Sequence, residues 1–279
     1  MSILVVVLLG VVQGITEFLP VSSSGHLALL ETLFGFDAKS PEMLLFDLAT
    51  HLGTLIAIGI VFGRLLPGFV PREATLVEER SGLGEVLAGV NKRRLLLMII
   101  AATAATGMLA MPVRKYLEQA FGSLEVVALM WVITGTLLWV TDRKKHSPLD
   151  LDKFGLRGAL VVGLAQGVAV MPGISRSGAT ICIAILLGLQ RTGAVAFSLL
   201  IGIPAILGAA LVESLHEWEV LKSGSLPLWC ALLGGAVAAV VGVGAIKLLL
   251  RFSQAARLRY FGFYCYALAL VVLVYSLMR

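Results

Sequence analysis

The chain has 279 residues, of which 58% are apolar and only 14% are charged, and its mean hydropathy is +0.96. Soluble domains carry about 25% charged residues, so this composition excludes an ordinary water-soluble protein. The formal net charge of +5 is better explained by membrane topology than by nucleic acid binding. Continuous apolarity without alternation argues against a β-barrel. The composition therefore predicts an all-α polytopic membrane protein embedded in the lipid bilayer.

Apolar stretches of two lengths follow one another along the chain. A short pair at 3–19 and 24–34 precedes longer stretches at 44–63, 95–112 and 124–140, and a second short pair at 159–171 and 178–190 precedes longer stretches at 193–212, 227–246 and 261–278. The longer stretches have the roughly 20 residues that a helix needs to cross a bilayer. The short stretches cannot span, and a Pro/Ser/Gly segment breaks each pair, so each pair predicts re-entrant half-helices. Between the first two long stretches, residues 66–92 predict a cytoplasmic loop with a surface helix.

The two broken pairs are related in sequence. The positions that match at an offset of 153 residues are Gly10 and Gly163, Gln13 and Gln166, Gly14 and Gly167, Ser22 and Ser175, Ser24 and Ser177, and Gly25 and Gly178. We therefore divide one integral-membrane domain, 1–279, into repeat one at 1–145 and repeat two at 150–279. Because each repeat holds three spans, an odd number, the second repeat is inverted relative to the first. This inverted-topology repeat predicts that the two re-entrant tips enter from opposite faces and meet near the midplane.

Basic residues orient this topology. Of the 22 lysine and arginine residues, 16 fall on one side and 5 on the other, and Arg176 lies inside the second break. The positive-inside rule places the first side in the cytoplasm. Both termini are therefore predicted to lie outside.

The first break concentrates polar side chains. Gln13 and Glu17 are spaced i, i+4, so they share one helix face, which points at the serines of residues 22–24 and at His26. An ionisable group at membrane depth costs about 2.5–3.5 kcal/mol on insertion scales, which indicates a function. The alternative is structural, because serines at helix breaks commonly form caps and turns and a histidine there can be a satisfied polar group.

The second break carries Arg176, whose guanidinium is a planar fork suited to phosphate oxygens. Small and hydroxyl residues surround it in sequence: Gly173, Ser175, Ser177, Gly178 and Thr180. The amides that open the next half-helix, with the positive end of its dipole, predict an anion site. The alternatives are that Arg176 snorkels to the interface or forms a structural pair with Glu17.

Together the two breaks predict phosphoryl transfer on a membrane-embedded substrate. Arg176 would clamp the phosphate, Glu17 would manage protons, and His26 would deprotonate Ser23 or a water. Ser22 and the other hydroxyl and glycine residues of the breaks would contact the substrate. Gln13 and Glu17 would hold a divalent cation together with phosphate oxygens.

Two further features lie outside the breaks. Asp47 and His51 are also spaced i, i+4, and we expect a structural ion pair between them or a supporting role beside the site. The small-residue run at 231–245 predicts close helix packing, with a homodimer face as the alternative.

The segments GVVQGITEFLPVSSSGHL (10–27) and PGISRSGAT (172–180) resemble the two signature motifs of the undecaprenyl-pyrophosphate phosphatase family, the bacitracin-resistance membrane phosphatases. The resemblance extends over the whole chain. It implies a phosphoric anhydride hydrolase that converts undecaprenyl pyrophosphate to undecaprenyl phosphate and inorganic phosphate, recycling the carrier lipid of bacterial cell-wall synthesis. It also implies a multi-pass protein of the bacterial plasma membrane, a site that opens outward, and magnesium or calcium as cofactor.

The same resemblance assigns roles to single residues. Ser23 falls on the candidate nucleophile and Arg176 on the phosphate-clamping arginine, while Gln13 and Glu17 occupy the positions written (Glu/Gln)-x-x-x-Glu. Whether the serine or a water attacks stays open at this stage.

Two rival classes differ from this interpretation at identifiable positions. Lipid phosphatases related to phosphatidic acid phosphatase would carry a nucleophilic histidine six residues after the arginine, where this chain has Cys182. A polyprenyl-phosphate transporter or flippase would use the same anion clamp, but it has no evident use for a cluster of Ser23, His26 and Glu17.

Overall fold

The computed structural model describes residues 1–37, 40–63, 83–121, 123–144, 147–223 and 226–278. In these ranges the regular secondary structure is helical, and the β-pairing is limited to one isolated bridge between Leu149 and Leu189. The predicted loop at 66–92 lies mostly outside the described residues, and its described part contains a short helix at Leu83–Ala88.

The helices are labelled in chain order over the described residues. The first six are α1 (Ile3–Thr16), α2 (Ser23–Phe34), α3 (Pro41–Phe62), α4 (Leu83–Ala88), α5 (Lys92–Phe121) and α6 (Leu124–Asp142). The next six are α7 (Leu151–Val168), α8 (Arg176–Leu186), α9 (Arg191–His216), α10 (Trp218–Ser223), α11 (Leu228–Gln254) and α12 (Arg259–Leu277).

Within the described ranges, six helices are long and apolar enough to cross a membrane. They are α3, residues Lys92–Pro112 of α5, α6, α9, α11 and α12. Each contains most of one predicted apolar stretch, so the six predicted spans are confirmed by length and composition. The protein is a multi-pass α-helical membrane protein.

The helices of the two broken pairs are shorter. α1 has 14 residues, α2 has 12 and α8 has 11, which at 1.5 Å per residue gives about 16–21 Å against a hydrocarbon core of about 30 Å. α7 has 18 residues but leaves helical geometry at Gly155, where φ is +72°. It begins earlier than the predicted stretch at 159–171, because Leu151 and Phe154 are buried while the charged residues beside them face outward.

Glycines allow the short helices to approach the spans closely. A Cβ added at Gly10 of α1 would lie 2.9 Å from the Gly234 carbonyl oxygen of α11, and one added at Gly163 of α7 would overlap the Ala102 backbone of α5. Gly53 of α3 lies directly against the Gly235 backbone. The close packing predicted for the run at 231–245 is therefore present, on the side of α11 that faces α1 and α3.

Candidate active site

The two breaks come together inside the helix bundle. α1 ends at Thr16 and α2 begins at Ser23, while α7 ends at Val168 and α8 begins at Arg176, so the helices after the breaks start 153 residues apart. A Cβ added at Gly178 would lie 3.2 Å from the Pro20 side chain. The predicted meeting of the two motifs is thus a direct contact.

An ion pair joins the breaks at their centre. Arg176 Nη2 donates to Glu17 Oε1 at 2.7 Å, and the two side chains are only 16% and 6% exposed. Charged hydrogen bonds of this length are about twice as strong as neutral ones. The pair connects residues 159 positions apart and holds the carboxylate and the guanidinium in fixed mutual positions.

The other Glu17 oxygen collects donors from the first break. Oε2 accepts from Ser23 Oγ at 2.7 Å and from Gln13 Nε2 at 3.1 Å. His51 Nε2 lies 3.8 Å from the same oxygen, and His51 Nδ1 contacts the Asp47 carbonyl oxygen at 2.8 Å. Glu17 is therefore the acceptor for the Ser23 hydroxyl, and the imidazole of His51 faces Glu17.

His26 faces a different set of groups. Nδ1 lies 2.7 Å from the Ser22 carbonyl oxygen, which can only accept, so Nδ1 carries a proton. Nε2 lies 2.8 Å from the Tyr264 hydroxyl. The Tyr264 ring stacks on the imidazole, and Trp131 packs edge-on against the same imidazole. Among the residues that the structure describes, the ring nitrogens of His26 thus contact Ser22 and Tyr264, and the Ser23 hydroxyl points to Glu17.

Arg176 has a second nitrogen in a distinct position. Nη1 is buried and has no hydrogen-bond partner in the described part of the chain. A Cβ added at Gly202 of α9 would overlap Nη1, so the missing side chain at Gly202 makes room for the guanidinium. An unpaired buried donor beside an ion pair is suited to an anionic ligand oxygen.

The remaining predicted residues of the second break form the start of α8. Ser175 Oγ accepts from the Gly178 amide at 3.0 Å and contacts Ser177 Oγ at 3.2 Å. Ser177 Oγ donates to the Leu19 carbonyl at 3.3 Å, which ties this break to the first one. Thr180 Oγ1 lies 2.6 Å from Ser198 Oγ of α9. These hydroxyls fix the backbone around Arg176.

The first break has an equivalent turn with a less usual backbone. Ser22 has φ of +69°, a left-handed conformation that costs a residue with a Cβ about 1–2 kcal/mol. Its Oγ accepts from the Gly25 amide at 3.3 Å and lies 3.2 Å from Ser24 Oγ. In the second break the left-handed residue is Gly173, with φ of +90°, where an added Cβ would also lie 2.5 Å from the Val127 carbonyl oxygen.

Helix α6 supports both breaks through two residues one turn apart. Trp131 Nε1 donates to the Val21 carbonyl at 2.9 Å. Thr134 Oγ1 donates to the Gly173 carbonyl at 3.1 Å and accepts from the Ser175 amide at 3.2 Å. Sequence reasoning missed the site residues that lie on spans: Trp131, Thr134, Ser198, Gly202 and Tyr264. A hydroxyl within an apolar span was the one available signal, for Thr134 and Ser198.

The oxygens near Glu17 decide whether a divalent cation fits. Gln13 Oε1 is buried and lacks a hydrogen-bond partner among the described residues, and it belongs to the side chain that contacts Glu17. No group of three His, Cys, Asp or Glu residues within the described ranges could hold a metal ion. The donors present, one amide oxygen and one carboxylate, suit Mg²⁺ or Ca²⁺ when substrate oxygens and water complete the shell.

The fold and these contacts define a class: multi-pass membrane proteins with an acid–arginine site between two helix breaks. The sequence profile of the family described as bacitracin resistance protein BacA matches residues 6–271. The chain belongs to this family.

Individual relatives match over nearly their full length. The undecaprenyl-diphosphatase of Desulfatibacillum aliphaticivorans is 40% identical over 273 residues, which cover 96% of this chain and 97% of that protein. The undecaprenyl-diphosphatase of Carboxydothermus hydrogenoformans is 38% identical over 271 residues, covering 96% and 95%. That of Methanosphaera stadtmanae is 34% identical over 281 residues, covering 99% of both chains.

Proposed function

We propose that this protein hydrolyses undecaprenyl pyrophosphate to undecaprenyl phosphate and inorganic phosphate. The relatives that match over its whole length are named undecaprenyl-diphosphatase, and the motif resemblance implies the same reaction. One observation carries the chemistry: a single carboxylate, Glu17, accepts from the Ser23 hydroxyl with one oxygen and pairs with Arg176 through the other.

Substrate binding follows from the unpaired donor. The buried Nη1 of Arg176 donates to an oxygen of the terminal phosphate, while Nη2 keeps its bond to Glu17. Arg176 is also the first residue of α8, so the positive end of that helix dipole adds to the field at the phosphate. The negative charge that develops on the phosphoryl oxygens is stabilised by groups already in place.

Bond making and breaking then involve Ser23 and Glu17. Ser23 Oγ attacks the terminal phosphorus and passes its proton to Glu17 Oε2, 2.7 Å away. The new Oγ–P bond replaces the bond from phosphorus to the bridging oxygen, whose electron pair leaves on undecaprenyl phosphate. Water then attacks the same phosphorus, and the Oγ–P bond breaks. The electron pair of that bond stays on Ser23 Oγ, which takes its proton back from Glu17 as inorganic phosphate leaves.

A divalent cation fits this arrangement as a partner of the substrate. Mg²⁺ or Ca²⁺ would be held by Gln13 Oε1, by Glu17 and by pyrophosphate oxygens. When bound, it supplies positive charge that neutralises the pyrophosphate.

The inverted repeat belongs to this proposal, and matched contacts support it. α2 and α8 begin at positions that correspond at the offset of 153 residues, and so do Gly10 and Gly163. Gly10 of α1, in repeat one, packs against α11 of repeat two, and Gly163 of α7, in repeat two, packs against α5 of repeat one. Apart from the six-residue helices α4 and α10, α5 and α11 are each the fourth helix of their repeat. Such crossed contacts are expected of two repeats related by a pseudo-two-fold axis. Repeat one then covers 1–145 and repeat two 150–279.

The orientation is also a proposal. The distribution of lysine and arginine, 16 against 5, supports a topology with both termini on the periplasmic side of the bacterial plasma membrane. The motif resemblance implies that the site opens to the same side. Ser23 and Ser24 are only partly buried, so the site has an accessible edge at the first break.

The deciding experiment measures phosphate release from a polyprenyl pyrophosphate by purified protein. We expect Arg176→Ala and Glu17→Ala each to lower kcat/KM by about 10²–10³, the effect of removing one preorganised charge from a transition state. Ser23→Ala should abolish a trapped phosphoserine intermediate that the wild type accumulates. A wild-type protein that binds the lipid without releasing phosphate would instead support a transporter.

A further inference from the structure

A basic pocket lies at the far end of α7 from the site. It is a cavity of about 490 Å³ between the start of α5 and the start of α7. Three arginines line it, Arg93 and Arg94 from α5 and Arg157 from α7, together with one carboxylate, Asp152. Residues 157–168 of α7, about 18 Å of helix, separate it from the break that carries Arg176.

The described residues that line the pocket carry an excess of positive charge. Arg94 Nη1 lies 3.6 Å from Asp152 Oδ2, which is beyond hydrogen-bond distance, and the two side chains are 46% and 37% exposed. Asp152 Oδ1 is already the acceptor for the Asn91 amide, at 3.2 Å. Among the lining residues that the structure describes, one carboxylate therefore faces three guanidinium groups, and this surplus of positive charge favours an anion.

Hydrogen bonds join the two helix starts that carry the arginines. Asn91 Oδ1 accepts from the Arg93 amide at 3.0 Å and from the Arg94 amide at 3.3 Å, which caps α5. The bond from Asn91 to Asp152 links this cap to α7. The arginines of the two helices therefore project from backbones that are linked beside the cavity.

The rest of the lining is apolar and faces outward. Leu97 and Leu156 also line the cavity, and each is 48% exposed. The segment of α5 that is apolar enough to span the membrane begins at Lys92, so the pocket lies at the end of a span, where headgroups meet acyl chains. A free anion would contact only the arginines, whereas a lipid can contact the arginines with its headgroup and the leucines with its acyl chains.

We propose that this pocket binds the phosphate headgroup of an anionic phospholipid, with the acyl chains along Leu97 and Leu156. The basic-residue distribution places the pocket on the cytoplasmic side, where anionic lipids attract basic clusters. The site requires neither Glu17 nor Arg176 and is separate from the proposed hydrolysis.

The test is native mass spectrometry of the purified full-length protein titrated with phosphatidylglycerol or phosphatidylcholine. Wild type should bind phosphatidylglycerol preferentially. The double variant Arg93→Gln/Arg157→Gln should lose about tenfold or more of that affinity, because each arginine that contacts the anionic headgroup contributes a factor of about five. The matched control, Arg251→Gln/Arg257→Gln, removes two exposed arginines of the same predicted side that do not line the pocket. A headgroup bound in the pocket loses no contact in this control, so its affinity should stay within about twofold of wild type.

Two further measurements distinguish lipid binding from misfolding of the variants and from binding of free phosphate. Asp152→Asn removes the carboxylate and should strengthen phosphatidylglycerol binding, an effect that misfolding cannot produce. Inorganic phosphate should not displace the lipid. Equal losses in the pocket and control variants, no lipid preference in the wild type, or full displacement by inorganic phosphate would each overturn the proposal.

Discussion

At the residue scale, the Glu17 carboxylate uses its two oxygens differently. Oε1 pairs with Arg176, and Oε2 accepts from Ser23 and Gln13. The sequence suggested the pairing of Glu17 with Arg176 as a structural alternative to catalysis. The contact agrees with both the structural and the catalytic role, because the ion pair positions Arg176 while its Nη1 has no partner among the described residues.

A substitution at Gly202 tests the position of the Arg176 guanidinium. A methyl group at Gly202 would overlap Arg176 Nη1, so we expect Gly202→Ala to lower kcat/KM by at least about tenfold through a displaced arginine. The matched control is Gly208→Ala in the same helix, where an added Cβ meets no atom within 4 Å. Equal activities of the two variants in the phosphate-release assay would contradict the assigned position.

Tyr264 tests the role of the histidine. Tyr264→Phe keeps the ring that stacks on His26 but removes the hydroxyl 2.8 Å from Nε2. We expect a decrease in kcat of a few fold to about tenfold, because the lost hydrogen bond holds the His26 ring, whose Nδ1 in turn donates to the Ser22 carbonyl oxygen next to Ser23. Tyr266→Phe, which removes a hydroxyl bonded to Thr136, is the control and should be close to wild type. An unchanged kcat in Tyr264→Phe would show that the contact between Tyr264 and His26 does not help to position Ser23.

At the scale of elements, the short helices depend on close contact with the spans. Gly10 contacts the α11 backbone and Gly163 the α5 backbone. Overpacking of a close contact typically costs about 1–3 kcal/mol, so Gly10→Ala and Gly163→Ala should both lower the unfolding temperature in detergent. The control is Gly107→Ala in α5, where an added Cβ meets open space and alanine improves helix propensity. A loss in one variant alone would weaken the repeat relationship.

α6 is the element that holds the two breaks in register. Trp131 bonds to the first break and Thr134 to the second, and both are buried. The motifs alone predict which residues are reactive, but not which span supports them. That information depends on which helix lies behind the breaks. The local signal in α6, the hydroxyl of Thr134 within an apolar span, does not specify where that hydroxyl binds.

At the scale of the whole molecule, orientation is the open property that labelling can test. Cys182, Cys230 and Cys265 are buried, so a single introduced cysteine reports its own position. We expect Ser24→Cys and Lys222→Cys to react with an impermeant reagent added outside intact cells, and Lys153→Cys to react only after lysis. Labelling of Lys153→Cys in intact cells would reverse the proposed topology.

The sequence by itself determined the properties that depend on local composition. Six spans, the two broken pairs and the residues of both breaks follow from apolar length and helix-breaking residues, because the bilayer requires about 20 apolar residues per span. The offset of 153 residues, together with the two motifs, also indicated that the breaks belong to one site.

Only the tertiary structure decided the partners within that site. The contact of Tyr264 with His26 joins residues 238 positions apart, and Gly202, His51 and Trp131 reach the breaks from three different helices. The sequence marked His51 as an ionisable residue within a span. The other three look like ordinary residues of apolar spans, because a lipid-facing and a site-facing residue differ only in the neighbour against which they pack. Packing across the bundle, which no local periodicity specifies, directs the Ser23 hydroxyl to Glu17 and the His26 imidazole to Tyr264.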